Sequence, residues 1–250
     1  MKNFFGGENV SKIVIIGATS GIGRATAVRF HRLGYEVVGL GRREVLLVSL
    51  KKELGEGFSY DVYDMAGIDT VERLRDILTR EGHVDVVFLC AGVGYRNREY
   101  DIEKEEETIS VNVVGFSRAA HTVMAHFFRQ GRGHLICASS IAGVRGVGTA
   151  AYGASKAYIS NYADSLRIIA EERGCDIAVT DYQPGFVDTA MGQASSFWRI
   201  SAEEAARYVE KAVMTRCEHI YVSSRWRLIA YLMRILPHRF VRKIIGKQKD

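Results

Sequence analysis

Seven short apolar runs, separated by six stretches of helical period, leave few architectures open to this chain. Lys12–Gly17, Tyr35–Leu40, Phe58–Tyr60, His83–Cys90, Gly133–Ser139, Asp176–Tyr182 and His219–Ser223 are rich in Val, Ile, Phe and Tyr, and read as strands. Between them the sequence predicts a helix ending at Gly34, then helices over residues 43–54, 70–80, 108–129, 152–173 and 201–214. In the third of these, Val71, Leu74, Ile77 and Leu78 fall on one face. In the last, Ser201 and Glu204 stand at capping-box spacing.

Strands that alternate with helices of this length imply right-handed crossovers and a parallel sheet covered on both faces. The chain has 250 residues, 47% of them apolar and only two prolines, so a single domain with one sizeable core is expected over 1–250. The fold class read from this pattern is α/β, a doubly wound Rossmann-type domain with about seven parallel strands. Such sheets bind ligands at the carboxyl ends of their strands. Cys90, Cys137, Cys175 and Cys217 show no metal or disulfide spacing and read as free thiols. The first dozen residues hold no apolar run of signal-peptide length, and no segment has the uninterrupted apolar length of a membrane span, so a cytoplasmic protein is expected.

Gly17, Gly21 and Gly23 lie directly after the first strand, where a helix opens. Glycine at such a turn admits a pyrophosphate close to the backbone, and the helix N-terminus offers free N–H groups and partial positive charge. The spacing is G-x-x-x-G-x-G. Four further motifs follow in order: Cys90-Ala91-Gly92 after the fourth strand, Asn112 within Ser110–Gly115, the segment Ser139–Lys156 with Tyr152 and Lys156 four apart, and Pro184-Gly185 with Thr189 after the sixth strand.

This ordered set resembles the short-chain dehydrogenase/reductase superfamily along almost the whole chain. It departs from the family pattern at Ile16, where threonine is usual, and at Cys90, where asparagine is usual. The resemblance implies hydride transfer between a nicotinamide cofactor and a carbonyl or secondary alcohol. It implies Asn112, Ser140, Tyr152 and Lys156 as the catalytic set, with Asn112 holding a water that relays protons to Lys156. It assigns Gly17, Thr19, Ser20, Gly21, Ile22, Gly23, Asp61, Val62, Ala91, Gly92, Pro184, Gly185, Val187 and Thr189 to cofactor binding, together with Tyr152 and Lys156. A lysine one helical turn from a tyrosine favours the tyrosinate, so Lys156 is expected to bring Tyr152 toward working pH. Matching the motif selects Ser140, while the family's usual interval counted back from Tyr152 selects Ser139. Ser140 is preferred because loops change length more readily than strand ends.

The second strand ends in Gly41 and Arg42, with no carboxylate for a ribose 2′-hydroxyl. NADP(H) is therefore expected over NAD(H), with Arg42 on the 2′-phosphate. Residues 190–215 are expected to hold the substrate lid, with Phe197 and Trp198 either closing over substrate or packing in the core. Phe186, Gly146 and Val147 are expected beside the same pocket. Residues 225–250 carry eight Lys/Arg and one acid among helix-spaced Leu and Ile, against a net −2 for the rest. This tail reads as an amphipathic helix that contacts a membrane surface or packs on the body. The expected activity is that of an NADP(H)-dependent reductase on a small-molecule substrate, in a homodimer or homotetramer, with no metal and no nucleic acid. The rival is an NADP(H)-binding regulatory or scaffold protein of little turnover.

Overall fold

The structure is a computed structural model, and it describes residues 10–146, 148–189, 198–237 and 239. Seven strands, β1 (Lys12–Ile16), β2 (Glu36–Gly41), β3 (Phe58–Val62), β4 (Val86–Leu89), β5 (Arg132–Ala138), β6 (Asp176–Pro184) and β7 (His219–Val222), form one sheet. Their order is β3-β2-β1-β4-β5-β6-β7, with every described pairing parallel. The order reverses between β1 and β4, and the crevice at the carboxyl ends of these two strands is where such a sheet takes a ligand.

Alternation along each strand feeds two cores. Val14 and Ile16 face the helices α3 (Thr70–Glu81), α5 (Phe116–Gln130) and α6 (Ala150–Glu172). Ile13 and Ile15 face α1 (Gly21–Arg32), α2 (Glu44–Leu54) and α7 (Ala202–Thr215). Strands buried on both faces read as continuous apolar runs, which is why β1 and β4 stand out in the sequence.

The long helix expected over 108–129 starts earlier and is broken. Helix α4 covers Ile102–Ile109, Ser110–Gly115 form a π-turn, and α5 follows. Asp101 starts α4, its side chain accepting from Glu103 N at 3.0 Å. Six successive residues with no apolar member, Glu103–Thr108, hide this start from a reading based on apolar period. The capping box of α7 is present, with Glu204 N donating to Ser201 Oγ at 3.0 Å.

The capped helix expected over 201–214 and the described part of the basic tail both take helical form. Residues 202–215, expected in the lid, form α7, whose Ala205, Val209 and Ala212 are buried in the core it shares with Ala27 and Phe30 of α1. Residues 190–197, including Phe197, lie outside the described residues, as does Val147. The described part of the basic tail forms α8 (Ser224–Ile235), and one face packs on the body. Trp226 and Ala230 are buried with Ile141, and the Arg145 guanidinium donates to the carbonyls of Met233, at 2.7 Å, and Leu236. Leu228, Tyr231, Leu232 and Ile235 on the remaining face are exposed.

Candidate active site

The glycine turn is shaped by close approach. Gly17 adopts a φ of +105°, and a Cβ there would stand 2.6 Å from Ala91 N. Gly23 lets α1 rest against the carbonyl of Gly17, which any side chain would strike. Thr189, from the segment after β6, touches Gly21, so the first and last of the predicted motifs meet at the start of α1. Ile22 is half-buried in the first turn of that helix.

Arg42 and Arg43 take different roles at the end of β2. Arg43 Nη2 donates to Thr19 Oγ1 and to Ser20 Oγ, both at 2.7 Å, and so puts a guanidinium at the N-terminus of α1. Arg42 is exposed and stands 4.0 Å from Glu107, which accepts from Tyr95 OH at 2.5 Å. Sequence reasoning singled out Arg42 and missed Arg43, which the reading placed inside the next helix. At the end of β3, Asp61 is engaged by Arg80, and the carbonyl of Val62 accepts from Arg73 Nε at 2.7 Å.

Asn112 sits buried in the π-turn with its amide fully directed. Its Oδ1 accepts from Val93 N at 2.9 Å, and its Nδ2 donates to Val93 O at 2.7 Å and Ser155 Oγ at 3.1 Å. These bonds fasten the segment after β4, in which Ala91 N donates to Ile16 O at 2.7 Å. A Cβ on Gly92 would stand 3.1 Å from Asn112 Oδ1 and 3.4 Å from Lys156 Nζ. One on Gly94 would stand 2.5 Å from the Tyr152 ring. Gly94 and Val93 were not foreseen. A glycine two places after Gly92 was the available signal.

Tyr152, Lys156 and Ser140 come together at the carboxyl ends of β5 and β6. Ser140 caps a short 3₁₀ turn, its Oγ accepting from Ala142 N at 3.1 Å and donating to Pro184 O at 3.4 Å. Its hydroxyl also favours the ionised form of the Tyr152 phenol. Ser139 turns the other way, donating to Asp181 Oδ1 and, at 3.4 Å, to Tyr182 O. Of the two serines, it is Ser140 that bears on the Tyr152 phenol.

Lys156 is buried, donates to Ala138 O at 2.7 Å and lies 5.8 Å from the centre of the Tyr152 ring. Burial pulls its ammonium down to about 8. Burial also raises the Tyr152 phenol, with the Ser140 hydroxyl opposing it. The expected lowering of Tyr152 is therefore outweighed by desolvation of the phenol, and Tyr152 keeps its proton. Helix α6 is held in place at its start by Glu105, whose Oε2 accepts from Ala151 N at 2.9 Å.

An aromatic wall borders this group. Gly185 packs flat on the Trp226 indole, which makes edge contacts with Phe186 at 5.5 Å and with Trp198 at 6.1 Å between ring centres. Val187 is buried and bridges to Ile200. Trp198 is thus joined to Trp226, a contact between segments distant in sequence that no local pattern signals. Gly146 borders open space.

The site fits a dinucleotide on the donor set: a tight glycine turn opening a helix, hydroxyls of Thr19 and Ser20, and a guanidinium at the helix N-terminus. Among the described residues there is no cluster of metal-ligating side chains and no helix long and apolar enough to cross a membrane.

Comparison with known proteins agrees with the geometry. A family profile described as short chain dehydrogenase matches residues 11–199. An uncharacterized oxidoreductase of Myxococcus xanthus is 32% identical over 237 residues, covering 90% of this chain and 92% of that protein. One from Staphylococcus epidermidis is 30% identical over 218 residues, covering 84% and 93%. Among solved structures, a short chain dehydrogenase/reductase from Burkholderia phymatum in complex with NAD superposes with a TM-score of 0.81 at 22% identity, covering 90% of this chain and 94% of that one. A serine dehydrogenase complexed with NADP+ gives 0.75 at 23%, covering 84% and 93%. Family profile, full-length relatives and shared sheet together make this chain a member of the short-chain dehydrogenase/reductase family of oxidoreductases.

Proposed function

We propose that the protein is an NADP(H)-dependent reductase that converts a small carbonyl substrate to a secondary alcohol, with Tyr152 as the acid. The observation that carries this reading is the convergence of Ser140, Tyr152 and the buried Lys156, whose Nζ lies 5.8 Å from the centre of the Tyr152 ring. Burial keeps the Tyr152 proton on the phenol, which suits a proton donor and hence the reducing direction. Tyr152 passes that proton to the carbonyl oxygen while the Ser140 hydroxyl hydrogen-bonds the same oxygen as negative charge develops. The Lys156 ammonium favours the tyrosinate left behind. Asn112 fastens Val93, and with it the segment that borders Tyr152. The bound nicotinamide supplies the hydride.

Thr19, Ser20 and the start of α1 would hold the pyrophosphate. Asp61, Val62, Ala91, Gly92, Pro184, Gly185, Val187 and Thr189 would line the rest of the cofactor's path. The preference for NADP(H) is supported by the absence of a carboxylate at Gly41 and by the adjacent Arg42 and Arg43. A panel of ketones and aldehydes followed by nicotinamide absorbance tests the reading. Turnover with NADPH, at a kcat/KM above that with NADH, is expected. Cofactor binding without turnover on any carbonyl would favour the regulatory alternative.

Two surfaces bear on assembly. Ile109, Val114, Tyr158, Ile168 and Ile169 are exposed on α4, the π-turn and α6, which supports a homodimer or homotetramer, checked by light scattering. The exposed apolar residues of α8 alternate with Arg225, Arg227 and Arg234, which supports contact with an anionic membrane surface. Flotation with phosphatidylserine vesicles tests it, using Leu228→Ser with Leu232→Ser rather than a truncation that would remove Trp226.

A further inference from the structure

Asp181 is fully buried and belongs to none of the motifs. We propose that Asp181 is a positioning residue, the buried counter-charge that holds the Lys156 side chain in its ammonium form. The proposal rests on the reading of Lys156 as the partner of Tyr152.

Asp181 lies on β6, in register with Cys137 on β5 and His219 on β7. Val179 and Ile177, two and four residues before it, pack in the core with Ile159, Ala163 and Leu166 of α6. Asp181 therefore faces α6, the helix that carries Lys156. Both carboxylate oxygens are held: Ser139 donates to Oδ1, and Gln183 Nε2 donates to Oδ2 at 2.5 Å. Ser139 directly follows Ala138, whose carbonyl takes the Lys156 hydrogen bond at 2.7 Å. One β-strand end thus links ammonium and carboxylate through adjacent residues.

Burying an ammonium against a neutral carbonyl is costly unless an anion stands near. Three titratable groups would favour the Lys156 ammonium when ionised: Cys90, Asp181 and Cys137. Burial pushes the Cys90 thiol up to about 12, and the Cys137 thiol higher still, so neither is an anion at working pH. Asp181 is the one carboxylate of the three. Other charged and titratable groups surround it, and His219 is the one that stands against the carboxylate itself. From α6, Arg167 pairs with Asp164 at 2.8 Å and Glu218 at 3.9 Å, and donates to Val179 O at 2.9 Å. From β7, His219 stands 3.6 Å from Asp181 and 3.7 Å from Asp164. Tyr152 and Tyr162 face the same region from α6, both phenols raised by burial.

Without the anion the ammonium gives up its proton at lower pH. The protonated pair that a reductase needs is then lost earlier as pH rises. The test compares wild type with Asp181→Asn and with the smaller Asp181→Ser, which guards against a packing failure of the first. Lys156 is titrated by NMR of lysine-labelled protein without cofactor, assigned through Lys156→Met, and the pH profile of kcat/KM for ketone reduction is recorded. Both variants should lower the Lys156 titration by about one pH unit and move the alkaline limb of the profile to lower pH by a similar amount. An unchanged Lys156 titration in both variants overturns the proposal. A shifted titration in a protein that reduces no carbonyl sustains the counter-charge and overturns the reductase reading instead.

Discussion

Burial acts on Tyr152 and Lys156 in opposite directions, raising the phenol and lowering the ammonium to about 8. The lysine therefore costs stability. Its usual value is 10.5, so on acidification the unfolded chain takes up a proton first. Stability falls as pH drops from 10.5 through 8, and the cost is complete below that. In Lys156→Met this pH-dependent loss, on the order of 2–3 kcal/mol between pH 10.5 and pH 7, should be absent. Urea denaturation at the two pH values checks this. The paired serines separate at the same scale. Ser140→Ala should lower kcat by about 10²-fold with little change in stability. Ser139→Ala leaves one oxygen of Asp181 without its donor and should cost about 1–3 kcal/mol while changing kcat far less.

At the scale of elements, the strands and the paired motifs were legible because each is written locally. Runs such as Ile13–Ile16 announce a buried strand, and Tyr152 with Lys156 sits at the spacing of one helical turn. The start of α4 was not legible, because its acidic first turns carry no apolar period. Nor was the π-turn that aims Asn112 at Val93, or the seat of α8. That seat depends on Gly185, distant in sequence, admitting the Trp226 ring, and on Arg145 reaching the end of the helix. Gly185→Ala should therefore destabilise by about 1–3 kcal/mol through overpacking, and Trp226→Leu should relieve part of that loss in the double variant. Chemical denaturation of the four proteins measures the coupling. Additive losses would show that the ring and the glycine do not share one space.

Across the whole molecule, the parallel sheet sets the chemistry. Its reversal between β1 and β4 opens the crevice that the glycine turn borders, and β5 and β6 bring Ser140, Pro184 and Asp181 to the same end. Ser139 shows how this organisation redistributes roles, since the sheet directs it to Asp181 and leaves the tyrosine to its neighbour. On the proposed reading the groups at the start of α1 serve binding and the Tyr152 hydroxyl serves turnover. Replacing that hydroxyl tests the central claim most directly, with dissociation constants for NADPH measured alongside single-turnover ketone reduction. Tyr152→Phe should bind NADPH within about twofold of wild type and lose at least about 10²-fold in the rate of reduction. Reduction at the wild-type rate by Tyr152→Phe would contradict the account.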